Sequence, residues 1–119
     1  MGDFVLWDRL EKDSFFLKEL NLCQLRLIPD GDIPWFLLIP KINGMLDWDD
    51  LSLSDQNIMN EEINLVCKTM KNFVSVDKVN IGSLGNIVPQ LHIHVIGRLK
   101  TDRAWPGAIW GTSANEEFN

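Results

Sequence analysis

The sequence predicts an α+β domain: a mostly antiparallel sheet of about five strands, one long helix and a short helix near the start. Three observations predict it. Apolar residues recur at Met59, Ile63, Val66, Met70 and Phe73, in alternating steps that keep them on one face of a single helix. Several short apolar or alternating runs stand apart from that helix, bounded by turn residues. Helix and runs do not alternate, so no βαβ pattern calls for a parallel sheet.

Residues 7–13 read as a short helical turn, followed by the extended FFLKEL. The run LCQLRLIPD, 22–30, has period-two apolarity at Cys23, Leu25 and Leu27, which predicts a strand with one wet face. Pro29, Asp30 and Gly31 supply turn chemistry. WFLLIP, 35–40, is continuously apolar and predicts a more deeply buried strand, hairpinned to the one before. Residues 42–50 form a loop with an Asn43-Gly44 turn. Ser52 or Ser54 caps the long helix, expected over 54–74. KVNIGSL (78–84) and QLHIHVIGR (90–98) read as two further strands. Residues 1–111 are expected to form a single domain and 112–119 a frayed tail.

With 119 residues, 45% of them apolar, the chain can bury a core without a metal or disulfide staple. A net charge of −6 argues against a binder of bulk nucleic acid or anionic membrane, while a local pocket for a small phosphorylated ligand remains open. No apolar run is long enough to span a bilayer and no leader is visible, so a cytoplasmic protein is expected. Cys23 and Cys67 form no CxxC and are expected to be reduced core residues.

The two histidines of the chain, His92 and His94, stand two residues apart, with Gln90 two before them. Strand alternation puts Leu91, Ile93 and Val95 on a core face and Gln90, His92 and His94 together on the other. Three readings follow. The trio is the ordinary wet face of a half-buried strand. Or it is a metal site, which lacks an obvious third ligand because no other His and no clustered Cys is present. Or it is a nucleophilic site, since neutral imidazole attacks phosphorus well and leaves well. The third reading needs main-chain N–H groups near an anion, and Gly82 and Gly85 in NIGSLGN precede the histidines.

The run from Asn80 through VPQLHIHVIGR resembles the histidine triad (HIT) superfamily, whose motif is His-φ-His-φ-His-φ-φ with φ apolar. Here it reads Gln90-Leu91-His92-Ile93-His94-Val95-Ile96, the form of a bacterial HIT-like branch with Q-x-H-x-H. LCQLRLIPDGDIPWFLLIPK resembles the family hairpin, and AWPGAIWG (104–111) the ending of that branch. The resemblance implies a HIT-like fold and a nucleotide hydrolase or transferase acting at an α-phosphate through a nucleotidyl-histidine. Its substrates would be nucleoside phosphoramidates or dinucleoside polyphosphates, with no cofactor and no metal. The nucleophile would be His92; His94 would contact phosphoryl oxygens or the departing group, and Gln90 would take the first triad position. Asn80, Gly85, Asn86, Asp30 and Arg98 would bind phosphate or ribose. A homodimer is implied as well.

Two departures carry the alternative, a nucleotide-binding or interaction module with weak or lost catalysis. Gln90 cannot titrate. Ile87 stands where many members have a hydroxyl beside the phosphate. Positive charge is expected from Arg98, Lys100 or Arg103, against the plainer reading of a solvated strand end. Trp105 and Trp110 read either as anchors of an irregular tail or as a cover over the site or a dimer contact.

Overall fold

The computed structural model describes residues 3–112, so the ending expected to fray over 112–119 lies outside the described residues from 113 onward. The order is α1 (Asp8–Asp13), β1 (Phe15–Glu19), β2 (Cys23–Leu27), β3 (Trp35–Pro40), a 3₁₀ turn (Trp48–Asp50), α2 (Leu53–Phe73), β4 (Lys78–Gly82) and β5 (Ile93–Arg98). One five-stranded sheet runs β1-β2-β3-β5-β4, with every neighbouring pair antiparallel. The expected α+β architecture and the β2–β3 hairpin are therefore present. The last strand is interior, between β3 and β4, with Leu37 of β3 opposite His94 and Gly82 of β4 opposite the same residue.

The helix begins where its cap allows. Ser52 accepts the backbone N–H of Asp55 at 3.1 Å, satisfying one of the first-turn donors. Met59, Val66 and Met70 bury against Cys23, Leu38, Leu91, Ile93 and Val95, with Ile63 packed at the rim. The expected stripe fails at its end, because Phe73 is 84% exposed. Glu62 is buried instead: its carboxylate accepts Leu22 N–H at 2.8 Å and Cys23 N–H at 2.9 Å. Those donors sit at the mouth of the β1–β2 turn, and a carboxylate on the helix answers them.

Neither β2 nor β5 has a wet face. Arg26 of β2 is 6% exposed, and its guanidinium bonds Ser14, Gln24 and the Glu11 carbonyl. All six residues of β5 are buried. The face turned away from α2 is covered from both ends of the chain. Phe4 and Leu6 pack with Leu10, Leu37, Ile39 and Val88, while Ala104 and Trp110 pack with Ile33, Trp35, Ile96 and Ile109. The ladder also starts three residues later than expected, at Ile93. Ahead of it, the N–H of Gln90 turns back to the Val88 carbonyl and that of Leu91 goes to Met45, both at 2.9 Å. Among the described residues, no helix is long and apolar enough to cross a membrane.

Candidate active site

His92 lies just before β5 and His94 within it, on the sheet face away from α2. Their rings come together, with centroids 5.1 Å apart. Both are nearly buried, at 6% and 7% exposure, so the wet-face reading of the pair fails. The cover just described excludes most of the water.

The two rings are held in opposite tautomers. Nδ1 of His92 lies 2.7 Å from the Gln90 carbonyl. A carbonyl only accepts, so Nδ1 carries the proton and the neutral ring keeps its lone pair on Nε2. For His94 the polarity is reversed: Trp35 Nε1–H donates to Nδ1 at 2.9 Å. Nδ1 must then be bare, and the proton of neutral His94 sits on Nε2. Burial, with His92 adding to it, pushes the His94 pKa down to about 4. The ring is therefore neutral near pH 7. One imidazole offers a lone pair and its neighbour offers an N–H.

Trp35 is the participant that sequence reasoning missed. A tryptophan opening an otherwise apolar, buried strand was the available signal, since a buried indole N–H needs an acceptor. Trp110 completes an aromatic cage, edge-on to His94 at 5.4 Å and to Trp35 at 6.5 Å. Its ring lies over Gly82, where a Cβ would come within 2.8 Å of it. The indole N–H of Trp110 is buried with no partner among the described residues. Trp105 packs on Arg98 instead, 5.6 Å from the guanidinium carbon.

The other expected residues divide into two groups. Gly85 adopts a φ of +66°, which glycine takes without strain, and Asn86 beside it is exposed. Arg98 does not fit the expected phosphate contact. Its side chain is 2% exposed and paired with Asp102 at 2.7 and 3.0 Å, and it also donates to Asn80 Oδ1 and the Gly107 carbonyl. The Arg98 guanidinium in turn holds the Asp102 carboxyl well below the usual range. Asn80 thus spends its carbonyl on Arg98. Asp30, expected at the ribose, is 4% exposed and accepts Arg103 at 2.7 and 3.2 Å as well as the Asp32 N–H. Arg103 also reaches Asp32 at 2.9 Å. The two arginines expected to bring positive charge are neutralised within the chain.

Gln90 is likewise committed. Its amide Nε2 donates to the Val5 carbonyl at 2.9 Å, and its Oε1 accepts Trp7 N–H at 2.8 Å. Among the described residues no group of three or more His, Cys, Asp or Glu side chains converges as a metal site. An apolar groove of about 320 Å³, lined by Leu25, Phe36, Leu65, Met70 and Phe73, lies on the opposite sheet face, remote from this chemistry.

Fold and site together define an antiparallel α+β domain that presents two neighbouring imidazoles at the start of an interior strand. The HIT domain model matches residues 9–101. Three solved structures are similar over nearly the whole chain. A histidine triad protein from Sinorhizobium meliloti 1021 is 41% identical, with a TM-score of 0.93 over 98% of this chain and 86% of that one. One from Marinobacter aquaeolei VT8 is 36% identical, with a TM-score of 0.94 over 99% and 86%. One from Bradyrhizobium japonicum is 35% identical, with a TM-score of 0.94 over 99% and 88%. No curated protein shows a significant match. The chain belongs to the histidine triad family, a superfamily of nucleotide-binding hydrolases and transferases.

Proposed function

We propose that the protein hydrolyses or transfers nucleotides at the α-phosphate, with His92 as nucleophile, on nucleoside phosphoramidates or dinucleoside polyphosphates. The observation that carries this reading is the opposed pair of tautomers. The His92 Nε2 lone pair forms a bond to the α-phosphorus, and the bond from phosphorus to the amine or polyphosphate breaks, its electrons leaving with that group; a departing amine takes up a proton from solvent, which the later hydrolysis step returns. The imidazolium formed keeps its Nδ1–H on the Gln90 carbonyl, which offsets the new charge. His94 Nε2–H hydrogen-bonds a phosphoryl oxygen or the departing atom. Water then attacks phosphorus, releasing nucleoside monophosphate and a proton and restoring neutral His92. Asn80, through its free amide group, Gly85 and Asn86 form the phosphate side of the site.

Incubation with adenosine phosphoramidate and with diadenosine polyphosphates tests this. Turnover and a trappable nucleotidyl-protein adduct are expected, both abolished in His92→Ala. Turnover that survives His92→Ala would overturn the assignment. The second reading, a nucleotide binder with weak catalysis, draws on Gln90, whose amide is already engaged, and on Ile87, 75% exposed with no hydroxyl to offer. Calorimetric binding of AMP or GMP without turnover of any substrate would favour it.

We also propose a homodimer in the cytoplasm. β4 is an edge strand, with Ile81 in it and Leu84 just beyond it about half exposed, and such an edge is suited to pairing with a second copy. Sedimentation at monomer mass across micromolar concentrations would count against the dimer.

A further inference from the structure

We infer that Gln90 is a positioning residue, which ties the first described residues of the chain to the main-chain carbonyl that orients His92. The inference rests on the reading of His92 as the nucleophile. Its physical content stands apart from any turnover.

Residues 3–7 belong to no strand of the sheet, yet their backbone groups are paired as though they did. Asn43 donates through Nδ2 to the Asp3 carbonyl at 2.8 Å and accepts Val5 N–H on Oδ1 at 3.0 Å. Gln90 repeats the pattern two residues on, donating to the Val5 carbonyl and accepting Trp7 N–H. Each carboxamide bridges a carbonyl and the N–H two residues later. A neighbouring strand does the same in a parallel ladder. Two side chains from distant parts of the sequence thus substitute for a strand. Alternation follows from this pairing: Phe4 and Leu6 pack inward, while Val5 and Trp7 are 70% and 47% exposed.

The same residue holds the nucleophile. The Gln90 carbonyl takes the His92 Nδ1–H at 2.7 Å, and the Gln90 N–H is fixed on Val88. Side chain, N–H and carbonyl of Gln90 are therefore all engaged; the carbonyl shares its peptide plane with the Leu91 N–H, itself held on Met45, and the side-chain clasp fixes the Cα from which that plane starts. Imidazole could not replace this amide. Its donor and acceptor nitrogens diverge across the ring, whereas a carboxamide presents them side by side. That is a physical reason for Gln at the first triad position.

The test uses Gln90→Ala and Gln90→Glu in the full chain. Amide exchange at Trp7 reports the clasp, and ¹⁵N shifts of His92 report its tautomer. In Gln90→Ala, Trp7 exchange is expected to accelerate by about tenfold or more, the effect of losing one hydrogen bond. His92 should drift from the Nδ1–H form toward the Nε2–H form favoured by free imidazole. Gln90→Glu keeps an acceptor for Trp7 but loses the donor to Val5, so its Trp7 amide should stay more protected than in the alanine variant. Asn43→Ala, outside the site, should speed exchange at Val5 and keeps the clasp testable if Gln90→Ala fails to fold. Unchanged exchange at Trp7 in Gln90→Ala, or at Val5 in Asn43→Ala where the first variant does not fold, would overturn the clasp. An unchanged His92 tautomer in both Gln90 variants would overturn the positioning role. None of these readouts needs turnover, so a failed nucleotide assay leaves them decisive.

Discussion

At the scale of single residues, the site depends on where two protons sit. Removing the Trp35 donor in Trp35→Phe leaves a buried His94 Nδ1 unpaired, which should cost about 1–3 kcal/mol and allow the ring to take a proton more readily. An upward-shifted His94 titration in NMR would show it. His94 also makes stability depend on pH. Its folded pKa lies near 4, below the ordinary histidine value of 6.5, so between those values the unfolded chain binds the proton and the native chain does not. The stabilisation is complete above pH 6.5 and is lost as pH falls toward 4. The full loss is on the order of 3 kcal/mol for such a shift. Urea midpoints at pH 7 and pH 4.5 should therefore differ, and the difference should shrink in His94→Gln.

At the scale of elements, two contacts connect the sheet to what covers it. Glu62 joins α2 to the start of β2 through two charge-assisted bonds. Glu62→Leu should cost about 1.5–3 kcal/mol in equilibrium unfolding by abandoning buried donors. On the other face, Gly82→Ala would force Trp110 away from β4 and should cost about 1–3 kcal/mol, with a change in tryptophan fluorescence. The elements themselves are legible in the sequence because each rests on local pattern. The Met59–Val66–Met70 spacing and the Ser52 cap are complete within one helix. Phe73 and Glu62 broke the pattern because their burial is decided by what lies opposite: an open apolar groove beside one, a turn with open N–H groups behind the other. The histidine pair was legible by alternation. Its dryness was not, since the covering segments come from both ends of the chain.

At the scale of the whole molecule, the irregular segment after β5, residues 99–112, is held by buried charge. Arg98 and Asp102 pair at 2% and 1% side-chain exposure, and the carboxylate also accepts the N–H groups of Leu99, Ala104 and Trp105. Breaking such a pair from one side strands the other charge. Asp102→Ala should therefore cost about 3–5 kcal/mol, measured by urea denaturation, and should loosen Trp110 over His94. In sequence, Arg98, Lys100 and Arg103 read as a small basic run available to a ligand. A run of charges cannot reveal that its counter-charges arrive from Asp102 and Asp30.

That internal pairing determines how an anionic substrate is met. The Arg98 and Arg103 guanidiniums are each matched by a carboxylate, the His94 imidazole is uncharged near neutrality, and the chain as a whole carries −6. Among the described residues, neither these paired arginines nor the neutral His94 gathers phosphates from a distance, so capture at the imidazoles depends on short-range dipoles and excluded water rather than on an attractive field. Counter-ions would then have little to screen. KM for a nucleotide substrate should change by less than about twofold between low and high ionic strength, where a site built on exposed cations would weaken steeply.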